Sequence, residues 1–172
     1  MKLVANLGLF LLFIYWTYQL IFTSSQWIFL DYANLIVHET GHLIFMLFPQ
    51  IIYLLAGSFF QILIPCIALG YFLFTDQKLA SIFSIFWVGN NFINVSHYIK
   101  DAQTMNLPLA FGAQIHDWNW ILTNLELLKY DQIIGNLFFV PGLVCVFLSL
   151  FLLIINFKNE LVQTANKYPN SH

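Results

Sequence analysis

Four long stretches of this 172-residue chain contain no Asp, Glu, Lys or Arg: Leu3 to Leu30, Thr40 to Thr75, Leu79 to Ile99 and Gln132 to Phe157. Nothing else in the sequence constrains the fold as strongly. A helix rises about 1.5 Å per residue, so about 20 apolar residues cross about 30 Å of hydrocarbon. The whole chain has six Lys, no Arg and eight acids. A soluble domain of this length would carry about 43 charged residues. So few charges exclude a soluble globule, and a 60% hydrophobic composition excludes a disordered segment. A formal net charge of -2 also lacks the basic footprint that nucleic-acid binding needs.

The runs predict an all-α integral membrane protein, a bundle of about five transmembrane helices. The first span covers Leu3 to Phe22 and stops at the polar Thr23-Ser24-Ser25-Gln26. The region from Trp27 to Thr75 is too long for one helix, and Pro49-Gln50 and Gly57-Ser58 offer break points. Spans of Trp27 to Phe48 and Ile51 to Phe74 follow, the latter kinked at Pro65. The third and fourth runs hold one span each. The first apolar segment exceeds the usual h-region of about 7–15 residues and has no A-x-A-like site, so it reads as an uncleaved helix. Lysines divide three to three between the two sides, which leaves orientation open. Cys66 and Cys145 fall within spans and read as packing residues. Residues 1–160 form one membrane-embedded domain, and 161–172 a short, frayed polar tail. The connector from Lys100 to Asp131 holds most polar groups outside the spans. Pro108 and Gly112 make its first half a loop, and Trp118 to Leu128 reads as an interfacial helix, Trp118 and Trp120 at headgroup depth.

Inside the second span stands His38-Glu39-Thr40-Gly41-His42, an HExxH sequence. Residues four apart share a helix face, so both imidazoles can bind one zinc ion. Glu39 is placed to take a proton from a zinc-bound water, whose pKa the metal lowers towards about 7, and to pass it to the leaving amine of a peptide bond. The motif uses two of the chain's five His and one of its eight acids, in a helix otherwise nearly free of charge. Ionisable groups at membrane depth cost about 2.5–3.5 kcal/mol each and mark function. The competing structural role is a polar contact between helices.

A catalytic zinc site has three protein ligands and an open position. Asn90, Asn94, His97 and Asp101 share one face of the fourth span, and that polar face should look into the bundle towards His38 and His42. Asp101 and His97 are therefore candidates for the third ligand. So is His116, if the connector folds back, while Asp117 could orient an imidazole.

A membrane-embedded HExGH helix followed by an aspartate at a later helix resembles the site-2 protease group of intramembrane zinc metallopeptidases. The Gly57-Ser58-Phe59-Phe60-Gln61, Trp87-Val88-Gly89, Tyr98-Ile99-Lys100-Asp101-Ala102, Leu107-Pro108-Leu109 and His116-Asp117-Trp118 segments resemble a small bacterial branch of such proteins. The resemblance implies His38, His42 and Asp101 as ligands of Zn2+ and Glu39 as the catalytic base. It also implies a multi-pass protein of the bacterial cytoplasmic membrane. Its partners would be the lipid bilayer and a membrane-spanning or membrane-delivered peptide substrate, with no nucleic acid. The group's aspartate commonly lies in an Asn-Pro-Asp-Gly-like motif, whereas Asp101 lies in Ile-Lys-Asp-Ala. The alternative is a metal-binding, non-proteolytic membrane protein, either transporter-like or a pseudoprotease scaffold.

Overall fold

The structure, a computed structural model, describes residues 2–22, 29–107 and 115–167. The Thr23 to Gln26 stop, the span start at Trp27, Pro108, Gly112 and the chain end from Tyr168 lie outside the described residues. Among the described residues there is no strand. The helices are α1 (Lys2–Phe22), α2 (Phe29–Ile44), α3 (Gln50–Phe74), α4 (Lys78–Lys100), α5 (Asp117–Asn124) and α6 (Asp131–Lys167), with a 3-10 turn at Leu128–Tyr130. Gln50–Phe74, Lys78–Lys100 and Leu128–Thr164 are long and apolar enough to cross a membrane. Of the other two expected spans, α1 is apolar over the shorter stretch Asn6–Phe22. The 16 residues of α2 rise only about 24 Å.

Local chemistry sets the breaks. Pro49 caps the start of α3, and Phe48 before it is driven out of the helical region, so no helix runs on from α2 into α3. α2 itself already ends at Ile44, short of the expected Phe48. Gly57-Ser58, the other offered break, lies inside α3 and serves a close approach instead. Pro65 in α3 and Pro141 in α6 each remove one backbone N–H, yet both helices continue past them.

Small residues seat α4 against α6. A Cβ on Gly89 would stand 2.8 Å from the Gly142 carbonyl oxygen, and one on Gly142 would stand 3.0 Å from that of Gly89. Without side chains at the crossing, the backbones approach closely. α1 adds Phe13, Trp16 and Leu20 to a core shared with Leu30, Phe86, Ile93, Val146 and Leu153, and the Phe13 and Phe86 rings stack at 4.3 Å. The amide of Asn6 bonds Glu160 at 2.6 Å, and Asn156 donates to Asn6 at 3.1 Å. That tie gives the region past Lys158 a partner, and α6 stays helical to Lys167 where a frayed tail is expected.

A second core positions the site. Leu54 of α3, Val95 and Ile99 of α4, and Trp118, Ile121 and Leu122 of α5 are packed together. Trp118 is buried and donates its indole N–H to Ser58 Oγ at 3.0 Å. It faces the protein interior, where α3 supplies the one acceptor the ring needs and neighbouring helices cover its apolar body. α2 crosses α3 at Gly41, where a Cβ would collide with the Ala56 carbonyl oxygen and stand 3.1 Å from Gly57 Cα.

Candidate metal centre

His38 and His42 lie one turn apart on α2, both buried, with ring centroids 4.7 Å apart. Each ring is fixed from behind by α3. His42 Nδ1 is 2.8 Å from the Tyr53 carbonyl oxygen. A carbonyl only accepts, so Nδ1 donates and the ring's lone pair is on Nε2. His38 Nδ1 makes the equivalent bond to Gln61 Oε1 at 3.0 Å. Both Nε2 atoms then turn towards one carboxylate: His38 and His42 Nε2 lie 3.0 and 3.2 Å from Oδ2 of Asp117.

These three atoms form a group able to hold a metal ion, all within 4.8 Å of one another. With both Nδ1 atoms donating, each Nε2 faces the carboxylate lone pair to lone pair unless a proton or a metal cation stands between them. A metal ion there would avoid the buried charge of two imidazolium rings, which only Asp117 and the charge of nearby Glu39 would offset. Donors held tetrahedrally about 2.0 Å from zinc stand about 3.3 Å apart, close to the separations to Asp117. Two neutral imidazoles and a carboxylate are a zinc donor set, and they leave a fourth position open. Gly57 of α3 lies directly against both rings, where only a residue without a side chain fits. A Cβ there would lie 2.5 Å from His38 Nε2 and 2.6 Å from His42 Nε2.

Glu39, half-buried on α2 beside His38, lies close enough for its charge to act on the His42 ring and the Tyr98 phenol. Tyr98 of α4 stands between the centre and its support: its ring is 6.0 Å from His38 and 4.3 Å from His116. Its hydroxyl accepts the backbone N–H of Asp117 at 3.1 Å.

Asp101, the expected third ligand, is not in the group. Its carboxylate accepts Thr104 Oγ1 at 2.6 Å and the backbone N–H groups of Asn106 and Leu107, each at 2.9 Å. The reason is local. Asp101 ends α4, where the chain must reverse, and a carboxylate there captures the free N–H groups of the following turn. Burial pushes its pKa up, but these hydrogen bonds and nearby His116 outweigh burial and hold it below the usual range. His116 faces Asp101, Nε2 to Oδ2 3.4 Å. Burial lowers its pKa despite the attraction of Asp101. His97 packs its ring 6.0 Å from Phe139 of α6. The polar stripe of α4 does face α2, but at earlier turns than His38. Asn34 donates to Asn90 at 2.6 Å, and Asn94 donates to Asp31 at 2.6 Å.

Asp117, considered from sequence only as a partner orienting an imidazole, is the carboxylate at the centre. The sequence reading also did not point to the Tyr53 carbonyl, to the role of Gln61 or to the close seat of Gly57 against the rings. A signal for Gln61 existed: it is the one amide past the first residue of an apolar helix, one turn after Gly57 and so on the same face. No protein-family model, curated protein or solved structure matches the chain, so its own residues define the centre.

Proposed function

We propose that this protein is a membrane-embedded zinc metallopeptidase of the site-2 protease kind, with His38, His42 and Asp117 as ligands and Glu39 as the catalytic base. The observation that supports it most is the convergence of three lone-pair donors, Nε2, Nε2 and Oδ2, beside the glutamate of an HExxH helix. Zinc, when bound, supplies a Lewis acid that acidifies water and polarises a carbonyl oxygen. The chain supplies the rest. Gln61 and the Tyr53 carbonyl hold both Nδ1 protons and fix the ring orientations. Glu39, one residue after a ligand, accepts a proton at its carboxylate from the attacking water and returns it to the leaving amine. Gly57 keeps the approach to the imidazoles free of a side chain.

Three helices with the length and apolar character to cross a bilayer support a membrane setting for such a centre. The fitting substrate is a membrane-spanning or membrane-delivered peptide, locally unwound because a helix hides its carbonyls in hydrogen bonds. The transporter-like alternative needs an open polar path along α4, but Asn90 and Asn94 are paired across to Asn34 and Asp31. Glu39→Gln tests the assignment in purified full-length protein. Bound zinc should stay near about one per chain while cleavage of a transmembrane peptide is lost. Cleavage that survives the change removes Glu39 from the mechanism.

A further inference from the structure

We infer that Asp101 is a positioning residue for Asp117: acting through His116, it locks the first turn of α5 so that the Asp117 carboxylate stands over the two imidazoles. The inference rests on the metal centre proposed above and assigns Asp101 a different role from metal ligation.

Asp117 has no local reason to reach His38, which is 79 positions earlier. α5 is a single short helix, and what holds its start comes from the end of α4. His116 is the residue capping α5. Its Nδ1 accepts the Asn119 backbone N–H at 3.2 Å. An accepting Nδ1 has no hydrogen, so in the neutral ring the hydrogen is on Nε2. That atom faces Asp101 Oδ2 at 3.4 Å, a charge contact that favours an N–H on this side, and it makes no hydrogen bond. Asp101 thus selects the tautomer that caps the helix. The same carboxylate gathers Thr104, Asn106 and Leu107 and so shapes the chain leaving α4.

Two further bonds tie the same pieces together. The Asp117 N–H donates to Tyr98, three residues before Asp101, and the Asn119 side chain donates to the Ala102 carbonyl at 2.8 Å. Both bonds run between the end of α4, with the residues just after it, and the first three residues of α5. The arrangement repeats, one shell further out, the way Gln61 and Tyr53 hold the histidines.

The test uses full-length protein in detergent, loaded with zinc or cobalt(II), and compares Asp101→Ala, His116→Asn and Asp117→Ala. His116→Asn retains a good capping side chain but breaks the link to Asp101, so it serves if Asp101→Ala does not fold. Asp101→Ala and His116→Asn should weaken zinc binding by about 10–100-fold, as loss of an orienting partner does. At saturating cobalt both should show the wild-type d–d absorption, because the ligands are unchanged. Asp117→Ala should change that absorption. Amide hydrogen exchange at residues 117–119 should rise in the first two variants even without metal.

The inference is overturned if Asp101→Ala alters the cobalt spectrum while Asp117→Ala does not, which would make Asp101 a ligand. It is overturned as well if zinc affinity and exchange at 117–119 both stay at wild-type values in His116→Asn. Wild-type protein that binds no zinc instead removes the metallopeptidase proposal, and the exchange measurement then still decides whether Asp101 positions α5.

Discussion

Substituting Gly57 by alanine tests the metal centre at the point where the structure leaves least freedom. The added Cβ would stand 2.5 and 2.6 Å from the two Nε2 atoms, whereas ordinary contact begins at 3.4 Å. Each imidazole would have to retreat by about 0.8–0.9 Å, roughly four times the tolerance of about 0.2 Å for a metal–ligand bond. Neither helix can move away cheaply. α2 already touches the α3 backbone at Gly41, and separation would stretch the 2.8 and 3.0 Å bonds from α3 that orient the rings. Removing a partner that only orients a ligand costs about 10–100-fold in affinity, so displacing both ligand atoms should cost about 100-fold or more. Overpacking should destabilise by about 1–3 kcal/mol, partly offset by about 1 kcal/mol from replacing glycine within a helix. The assay is zinc affinity by chelator competition, with thermal unfolding of the metal-free protein alongside. Gly70→Ala on the same helix is the control, because a Cβ there meets nothing within 4 Å. If Gly57→Ala binds zinc as tightly as wild type, the ion does not sit at these Nε2 atoms.

Acidification gives a second test. The carboxyl of Asp101 is held below its unfolded value of 3.8 by the hydrogen bonds it accepts, which outweigh burial. Its contribution to stability is therefore full above pH 3.8 and is lost as pH falls through the lower folded value. Thermal unfolding followed from pH 6 downward should fall more steeply for wild type than for Asp101→Asn, and parallel curves would refute that linkage. At the other end of the bundle, a Cβ on Gly89 would lie 2.8 Å from the Gly142 carbonyl oxygen and 2.9 Å from Val146 N, both backbone atoms of α6. Gly89→Ala should destabilise by about 1–3 kcal/mol, measured by thermal unfolding, whereas Gly8→Ala, with nothing within 4 Å, should not. Equal unfolding of the two variants would mean that the α4–α6 approach is not tight.

The helices and the histidine pair follow from local information. Charge-free runs bounded by Pro49, Asp76-Gln77 and Lys100 correspond to α3 and α4 within a residue or two, because apolar content and proline geometry act over neighbouring residues. The i, i+4 spacing of His38 and His42 puts both rings on one face of any helix they form, whatever surrounds it. Periodicity also placed the Asn90–Asn94 face against α2. It did not say at which turn, because spacing along one helix leaves its axial register against another undetermined, and that register is fixed by Gly41 meeting Ala56 and by Asn34 meeting Asn90.

The third ligand was out of reach for the same reason. Asp101 and Asp117 both lie in the connector between α4 and α6, and nothing in sequence spacing separates a carboxylate that caps a chain reversal from one that faces the two imidazoles. The separation is decided by where α5 docks: Trp118 on Ser58, Asn119 on Ala102, and His116 against Asp101. The sequence by itself therefore determined an apolar helical chain with two imidazoles presented together and a glutamate beside them. Only the tertiary structure decided that Asp117 completes the group, that Asp101 faces His116 beside it, and that a glycine on α3 seats against both rings. Those choices depend on contacts between segments far apart along the chain, and no local rule contains them.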